Sequence, residues 1–164
     1  MRGGAGIITI SRQTIIVTAI AVIILDLATK AMITRGLYHG EAITAVDGFL
    51  NIVYYRNPGA AFGMFNNGDM LRRVFLIGSS VIALAVIGVL LRSAKNGLMS
   101  LGLSLVAAGA VGNLIDRVRF GTVVDFLDFH IGRYHWPAFN VADSAITVGV
   151  VLAVFSYYFT RDGV

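Results

Sequence analysis

Four long apolar runs alternate with polar connections along the chain. They cover residues 14–33, 74–91, 97–115 and 141–159. A helix needs roughly 17–25 mostly apolar residues to cross a ~30 Å hydrocarbon core, so each run predicts a membrane span. The first run is broken only by Asp26 and Lys30 near its end. The second carries no charge, the third is rich in Gly and Ala, and the fourth has Asp143 at its start. Arg2 and Arg12 precede the first run as they would in a secretory signal. The run is longer than a signal's apolar region, and residues 26–30 make a poor cleavage site, so it reads as a retained span.

Two long connections break the helical pattern. In the first, Phe49 to Tyr55 is β-branched and aromatic and reads as a strand. Residues 42–46 can pair with it across Asp47-Gly48, a hairpin signal. This predicts a small sheet on one membrane surface, around residues 38–57. Asn57-Pro58-Gly59-Ala60-Ala61-Phe62-Gly63 follows. Its small residues suit close backbone approach in a groove, or an ordinary loop. In the second connection, Tyr134, His135 and Trp136 resemble an interfacial aromatic belt.

Composition agrees with a membrane setting. Hydrophobic residues make up 57% and charged residues 13%, against about 25% charged in soluble domains. With 164 residues, no low-complexity linker and no internal repeat, the chain reads as one domain, 1–164. Cysteine is absent, which excludes disulfides, thiol catalysis and Cys-based metal sites. The net charge of +4 is scattered and fits the headgroup region of anionic lipid rather than nucleic acid. Four spans put both termini on one side, with Arg2, Arg12, Arg92, Lys95 and Arg161. Lys30, Arg35, Arg56, Arg72, Arg73, Arg117, Arg119 and Arg133 fall on the other. The raw count favours termini outside. Many of the latter group stand beside Asp or Asn, so charge alone leaves the orientation open.

Asp125 and Asp143 are the leading candidates for chemistry. A carboxylate tied to a membrane segment must have its desolvation compensated, and two on neighbouring elements can share one proton, as in aspartyl protease dyads. Asp125 interrupts Val123-Val124-Asp125-Phe126-Leu127 with no cation at helical spacing. Asp143 has a second reading, because Asn140 three residues earlier can cap a helix with Asp143 completing a capping box. Cap and catalysis both stand at this point. Asp26 and Lys30 are spaced i,i+4 and read as a structural ion pair. Asn113, Asp116 and Arg117 share one helix face. Asp116 can neutralise Arg117 or Arg119, while Asn113 and Arg117 offer donors to a peptide carbonyl. Ser144 with His130 or His135 lacks the elbow motif of a serine hydrolase. Asp125, Asp128, His130 and His135 lack a metalloprotease pattern, so no metal or cofactor is expected. A proton-coupled transporter would place acids near mid-bilayer and show inverted repeats. A scaffold would explain the packing glycines but not Asp125.

Five segments taken together resemble bacterial lipoprotein signal peptidase, also called signal peptidase II. They are Asp26-Leu-Ala-Thr-Lys30, Asn57-Pro-Gly-Ala-Ala-Phe-Gly63, Gly109-Ala-Val-Gly-Asn-Leu-Ile-Asp-Arg117, Gly121-Thr-Val-Val-Asp-Phe126 and Phe139-Asn-Val-Ala-Asp-Ser-Ala-Ile146. Each alone is a weak signal, but their order and spacing over the whole chain are specific. The resemblance implies an aspartyl endopeptidase of the bacterial inner membrane, with four helices, a small extracytoplasmic sheet cradle and both termini cytoplasmic. It implies a diacylglyceryl-prolipoprotein substrate, cut on the N-terminal side of the lipidated cysteine. By motif match, Asp125 and Asp143 would be catalytic. Asn57, Gly59, Asn113, Arg117 and Asn140 would line the substrate site, and Asp26, Lys30 and Asp116 would be structural. Membrane lipid and globomycin-type cyclic peptides are the other expected partners, and a monomer the expected state.

Overall fold

The computed structural model describes residues 10–59 and 69–159. Ala60, Ala61, Phe62 and Gly63 of the glycine motif, and Arg2 and Arg161 of the charge count, lie outside the described residues. The element order is α1 (Arg12–Gly36), β1 (Ala42–Val46), β2 (Leu50–Asn57), α2 (Asp69–Ser93), α3 (Gly97–Phe120), β3 (Val123–Ile131), β4 (Tyr134–His135) and α4 (Val141–Phe159). All four helices are long and apolar enough to span a membrane, and the protein is a multi-pass membrane protein.

Three helices run further than the apolar runs, because helical hydrogen bonding does not stop where hydrophobicity does. α1 continues to Gly36 past Arg35, α2 takes in Arg72, Arg73 and Arg92, and α3 takes in Asp116, Arg117 and Arg119. Their ends are set by caps. Ser11 accepts from Thr14 N at 3.0 Å, and Asn96 accepts from Met99 N at 2.8 Å. Gly121 ends α3 in the left-handed region at φ 75°, which glycine adopts without Cβ strain.

The third helix, α3, is the hub. It packs against α1, α2 and α4, whereas among the described residues α2 packs against no other helix. Glycines allow the contact. A Cβ on Gly102 would lie 2.7 Å from Ala153 N and from Gly149 O, and one on Gly109 would collide with Ala142 O. Lipid tails are as apolar as leucine, so such small-residue packing, rather than hydrophobicity, joins helices in a bilayer.

The sheet is antiparallel throughout, in the order β1-β2-β3-β4. The Asp47-Gly48 hairpin joins β1 to β2, with Gly48 at φ 70°. The sheet is not confined to residues 38–57, however. Asp125 lies within the nine-residue strand β3, which pairs with β2, and Tyr134 and His135 form β4. The sequence around Asp125 reads as an interrupted apolar run only when its partner strand is unknown. In the pairing with β2, Tyr55 stands opposite Asp125 and Asn57 opposite Val123. The register shifts between Ile52 and Tyr55. This sheet therefore carries one acid, and α4 carries the other, to the same end of the bundle.

Candidate active site at the sheet end of the bundle

Asp125 is 3% exposed, and both its oxygens are engaged by asparagine donors. Asn140 Nδ2 donates to Oδ1 at 2.8 Å and Asn57 Nδ2 to Oδ2 at 2.8 Å. Asp143 is half-buried in the first turn of α4. Its Oδ1 accepts from Asn113 Nδ2 at 2.8 Å and its Oδ2 from the Asn140 backbone N–H at 3.3 Å. Asn140 Oδ1 in turn accepts from Asp143 N at 2.9 Å, which completes the reciprocal capping box. The cap reading is thus correct, but it uses one carboxylate oxygen and leaves the other facing Asn113. Capping therefore does not exclude a site role.

Asn140 is the residue that touches both acids. It is wholly buried and also donates to Val124 O at 3.2 Å and Asn113 Oδ1 at 3.3 Å. The acids also interact electrically. Burial raises the Asp125 pKa to about 6, opposed by the Asn57 hydrogen bond, reinforced by the charge of Asp143 and opposed again by Asn140 and Lys30. The charge of Asp143 makes ionising Asp125 more costly, as a neighbouring carboxylate does.

Behind this layer lies a second set of charges. Lys30 Nζ is 2.8 Å from Asp26 Oδ2 and 3.0 Å from Asp116 Oδ2, and it donates to Asn113 Oδ1 at 3.1 Å. Asp116 therefore faces Lys30, not Arg117 or Arg119. The reason is the helix-to-helix packing of α1 on α3, which spacing along α3 does not reveal. With Asn113 Oδ1 held by two donors, its amide nitrogen is directed to Asp143.

Arg117 and Gly59 meet at the rim. Arg117 Nη1 donates to Ser80 Oγ at 3.4 Å, and its buried Nε has no protein partner among the described residues. Gly59 N donates to Asn57 Oδ1 at 2.8 Å, with φ 71°. A Cβ on Gly59 would come to 3.0 Å from Leu76 and 3.9 Å from Arg117 Nη2. Ser80 and Leu76 are neighbours that sequence reasoning missed. The polar pair Ser79-Ser80 inside the uncharged second run was the available signal.

The histidines sit elsewhere. His135 Nδ1 lies 2.8 Å from Asp128 Oδ1, while Ser144 Oγ donates to Asn140 O at 2.9 Å. Burial disfavours the ionised Asp128, but donors from His135 and Asn51 and the neighbouring histidines hold its pKa below the usual range. Among the described residues no three of His, Asp or Glu converge as a metal site would need.

The chain is also similar to known proteins. The family model for signal peptidase (SPase) II matches residues 18–159. The chain is similar to a lipoprotein signal peptidase of Desulforapulum autotrophicum, 49% identical over 143 residues, covering 85% of this chain and 88% of that one. A lipoprotein signal peptidase of Geobacter metallireducens is 50% identical over 139 residues, covering 84% and 85%. Two solved bacterial membrane enzymes superpose on it. One has TM-score 0.80 and 34% identity, covering 95% of this chain and 96% of the other. The second has TM-score 0.81 and 36% identity, covering 94% and 97%.

Proposed function

The chain belongs to the signal peptidase II family, a peptidase that removes signal peptides from prolipoproteins, and on that premise we propose that Asp125 and Asp143 are its catalytic pair. The observation that carries the proposal is Asn140, one buried side chain hydrogen-bonded to Asp125 whose backbone N–H reaches Asp143.

The chemistry follows from the environments. Asp125 is the more buried acid and keeps the shared proton, which it donates to the scissile carbonyl oxygen. Asp143 takes a proton from a water whose oxygen attacks the carbonyl carbon. The gem-diol intermediate then collapses: Asp143 passes its proton to the nitrogen, the C–N bond breaks, and one hydroxyl returns its proton to Asp125, leaving a carboxylic acid and an amine. Arg117, Asn57, Asn113 and Asn140 orient the peptide, and Gly59 leaves room for it at the rim.

The substrate is a prolipoprotein whose cysteine carries diacylglycerol, cut on the N-terminal side of that cysteine. Its lipid holds it in the plane of the membrane, so the site needs to orient it more than to capture it. Globomycin-type cyclic peptides bind at the same residues. The protein works as a monomer in the bacterial inner membrane, with termini cytoplasmic and the sheet outside. The charge count opposes this less than its raw number suggests, because several of the eight cations at the sheet end are committed to contacts. Lys30 is paired with two acids, Arg73 donates to Val118 O, and Arg56 stacks on Tyr54 and Phe120.

Turnover of a diacylglyceryl peptide by purified Asp125→Asn and Asp143→Asn is the test. Asparagine keeps the shape but cannot pass a proton, so each variant is expected to stay folded and lose at least ~100-fold in kcat. Substantial turnover by either folded variant removes that residue from the catalytic role.

A further inference from the structure

We propose that Asp26, Lys30 and Asp116 are positioning residues of the peptidase site: a buried yoke that sets the spacing of the two acids through their backbones. This rests on the assignment of Asp125 and Asp143 as the catalytic pair. The geometry has a near-symmetry that a stabilising ion pair does not require. Asp26 Oδ1 accepts the N–H of Ala142 at 2.9 Å, one residue ahead of Asp143. Asp116 Oδ2 accepts the N–H of Val124 at 3.2 Å, one residue ahead of Asp125. Lys30 joins the two acids and spends its third contact on Asn113, the residue that donates to Asp143. The ammonium thus has an ion pair to each carboxylate and a hydrogen bond to the amide, all within 3.1 Å.

Each half of the yoke uses a donor that its own element leaves free. The Ala142 N–H belongs to the first turn of α4, where helical N–H groups have no intrahelical acceptor. Its acceptor comes from α1 instead of a local cap. Val124 lies at the start of β3, beyond the register shift in the pairing with β2. Its acceptor comes from α3. Gly112 makes the arrangement possible, because a Cβ there would stand 2.5 Å from Asp26 Oδ2.

Stability is a weak reason for such a cluster. All three charges are at most 3% exposed, and buried ion pairs are often no more stabilising than apolar replacements of similar volume. Placement is a stronger reason, because a misplacement of about 1 Å at reacting groups can cost about 100-fold in rate.

Asp116→Ala and Asp116→Asn separate the two roles. Alanine removes the acceptor for Val124 N–H, whereas asparagine keeps an oxygen there but loses the charge. Both are assayed on a diacylglyceryl peptide below their measured unfolding temperature in detergent. The expected result is a kcat at least tenfold lower for Asp116→Ala, with KM within twofold. Asp116→Asn recovers kcat to within threefold of the unaltered protein while unfolding at a lower temperature. A folded Asp116→Ala with kcat within twofold of the unaltered protein overturns the proposal. So does a folded Asp116→Asn that loses more than tenfold, which decides the matter even if the alanine variant does not fold. Asp125→Asn and Asp143→Asn are run in parallel. Turnover by those variants overturns the catalytic assignment itself, whereas their inactivity beside a fully active Asp116→Ala overturns only the yoke.

Discussion

The second and third helices, α2 and α3, are of nearly equal length, 25 and 24 residues, and α2 is the more hydrophobic of the two. Yet the spanning window of α2 has no buried residue, while α3 buries Leu103, Ala108, Asn113 and Asp116 among others. The contrast teaches that hydrophobicity marks where a chain meets lipid, not where it meets itself. In the bilayer the polar and small residues mark the protein's inside. In this molecule they also surround the proposed catalytic pair. The glycines of α3 admit α4 and the Asp26 carboxylate, and its Asn113 and Asp116 reach toward the two acids through Asp143 and Val124.

Removing the substrate's lipid is expected to have the largest effect on this division between a lipid-facing and a chemistry-facing side. Each buried methylene contributes about 0.8 kcal/mol of membrane binding, so matched peptides without diacylglycerol should lose at least ~100-fold in kcat/KM. Part of the loss should appear in kcat, because the lipid fixes the depth of the scissile bond. Equal kcat/KM in micelles for the two peptides would mean that the lipid-facing side takes no part in selection.

A pair of glycine substitutions sharpens the comparison directly. Gly112→Ala in α3 forces a Cβ against Asp26 of α1, whereas Gly88→Ala in α2 meets nothing within 4 Å. The first should cost about 1–3 kcal/mol by overpacking and lower kcat. The second should stay within about 0.5 kcal/mol of the parent. Thermal unfolding in detergent, with turnover measured below the transition, checks both. Equal effects would erase the distinction between the helices.

The smallest effect is on pH dependence. In the proposed mechanism Asp125 must be protonated to serve as the acid, and its pKa is raised to about 6. The rate kcat/KM should therefore fall as pH rises past about 6. The same shift acts on stability. Burial disfavours ionised Asp125 in the fold, so its contribution favours the folded state at low pH and is lost as pH rises from the ordinary aspartate value of 3.8 through about 6. Unfolding temperature measured against pH should show a shallower fall in Asp125→Asn than in the unaltered protein.

Much of the fold was legible because bilayer physics writes it locally. Span length located the four helices, and Asp47-Gly48 located the first hairpin. The third strand, β3, was not legible because Val123 to Ile131 pairs with β2, so that Asp125 stands opposite Tyr55, far back in the chain. Asp125 looked like an anomaly beyond a helix, not a strand residue beside Asn57. The candidate site residues were named by motif, but the wiring among them was not legible. Helical spacing paired Asp116 with the arginines on its own helix, whereas packing paired it with Lys30 on another. The link from Lys30 to Asn113 spans 83 positions. Asp143 as a cap was readable three residues from Asn140, because capping is local. That the same asparagine also reaches Asp125 depends on the sheet.

The central claim is that Asp125 and Asp143 form one electrically coupled pair. It is tested most directly by titrating Asp125 by NMR, with carboxyl-13C aspartate, in the unaltered protein and in Asp143→Asn. The charge of Asp143 helps to raise the Asp125 pKa to about 6. Removing that charge should move the Asp125 midpoint downward, with the protein still folded. An Asp125 midpoint that stays in place, or moves upward, would contradict the coupling and with it the shared-proton mechanism.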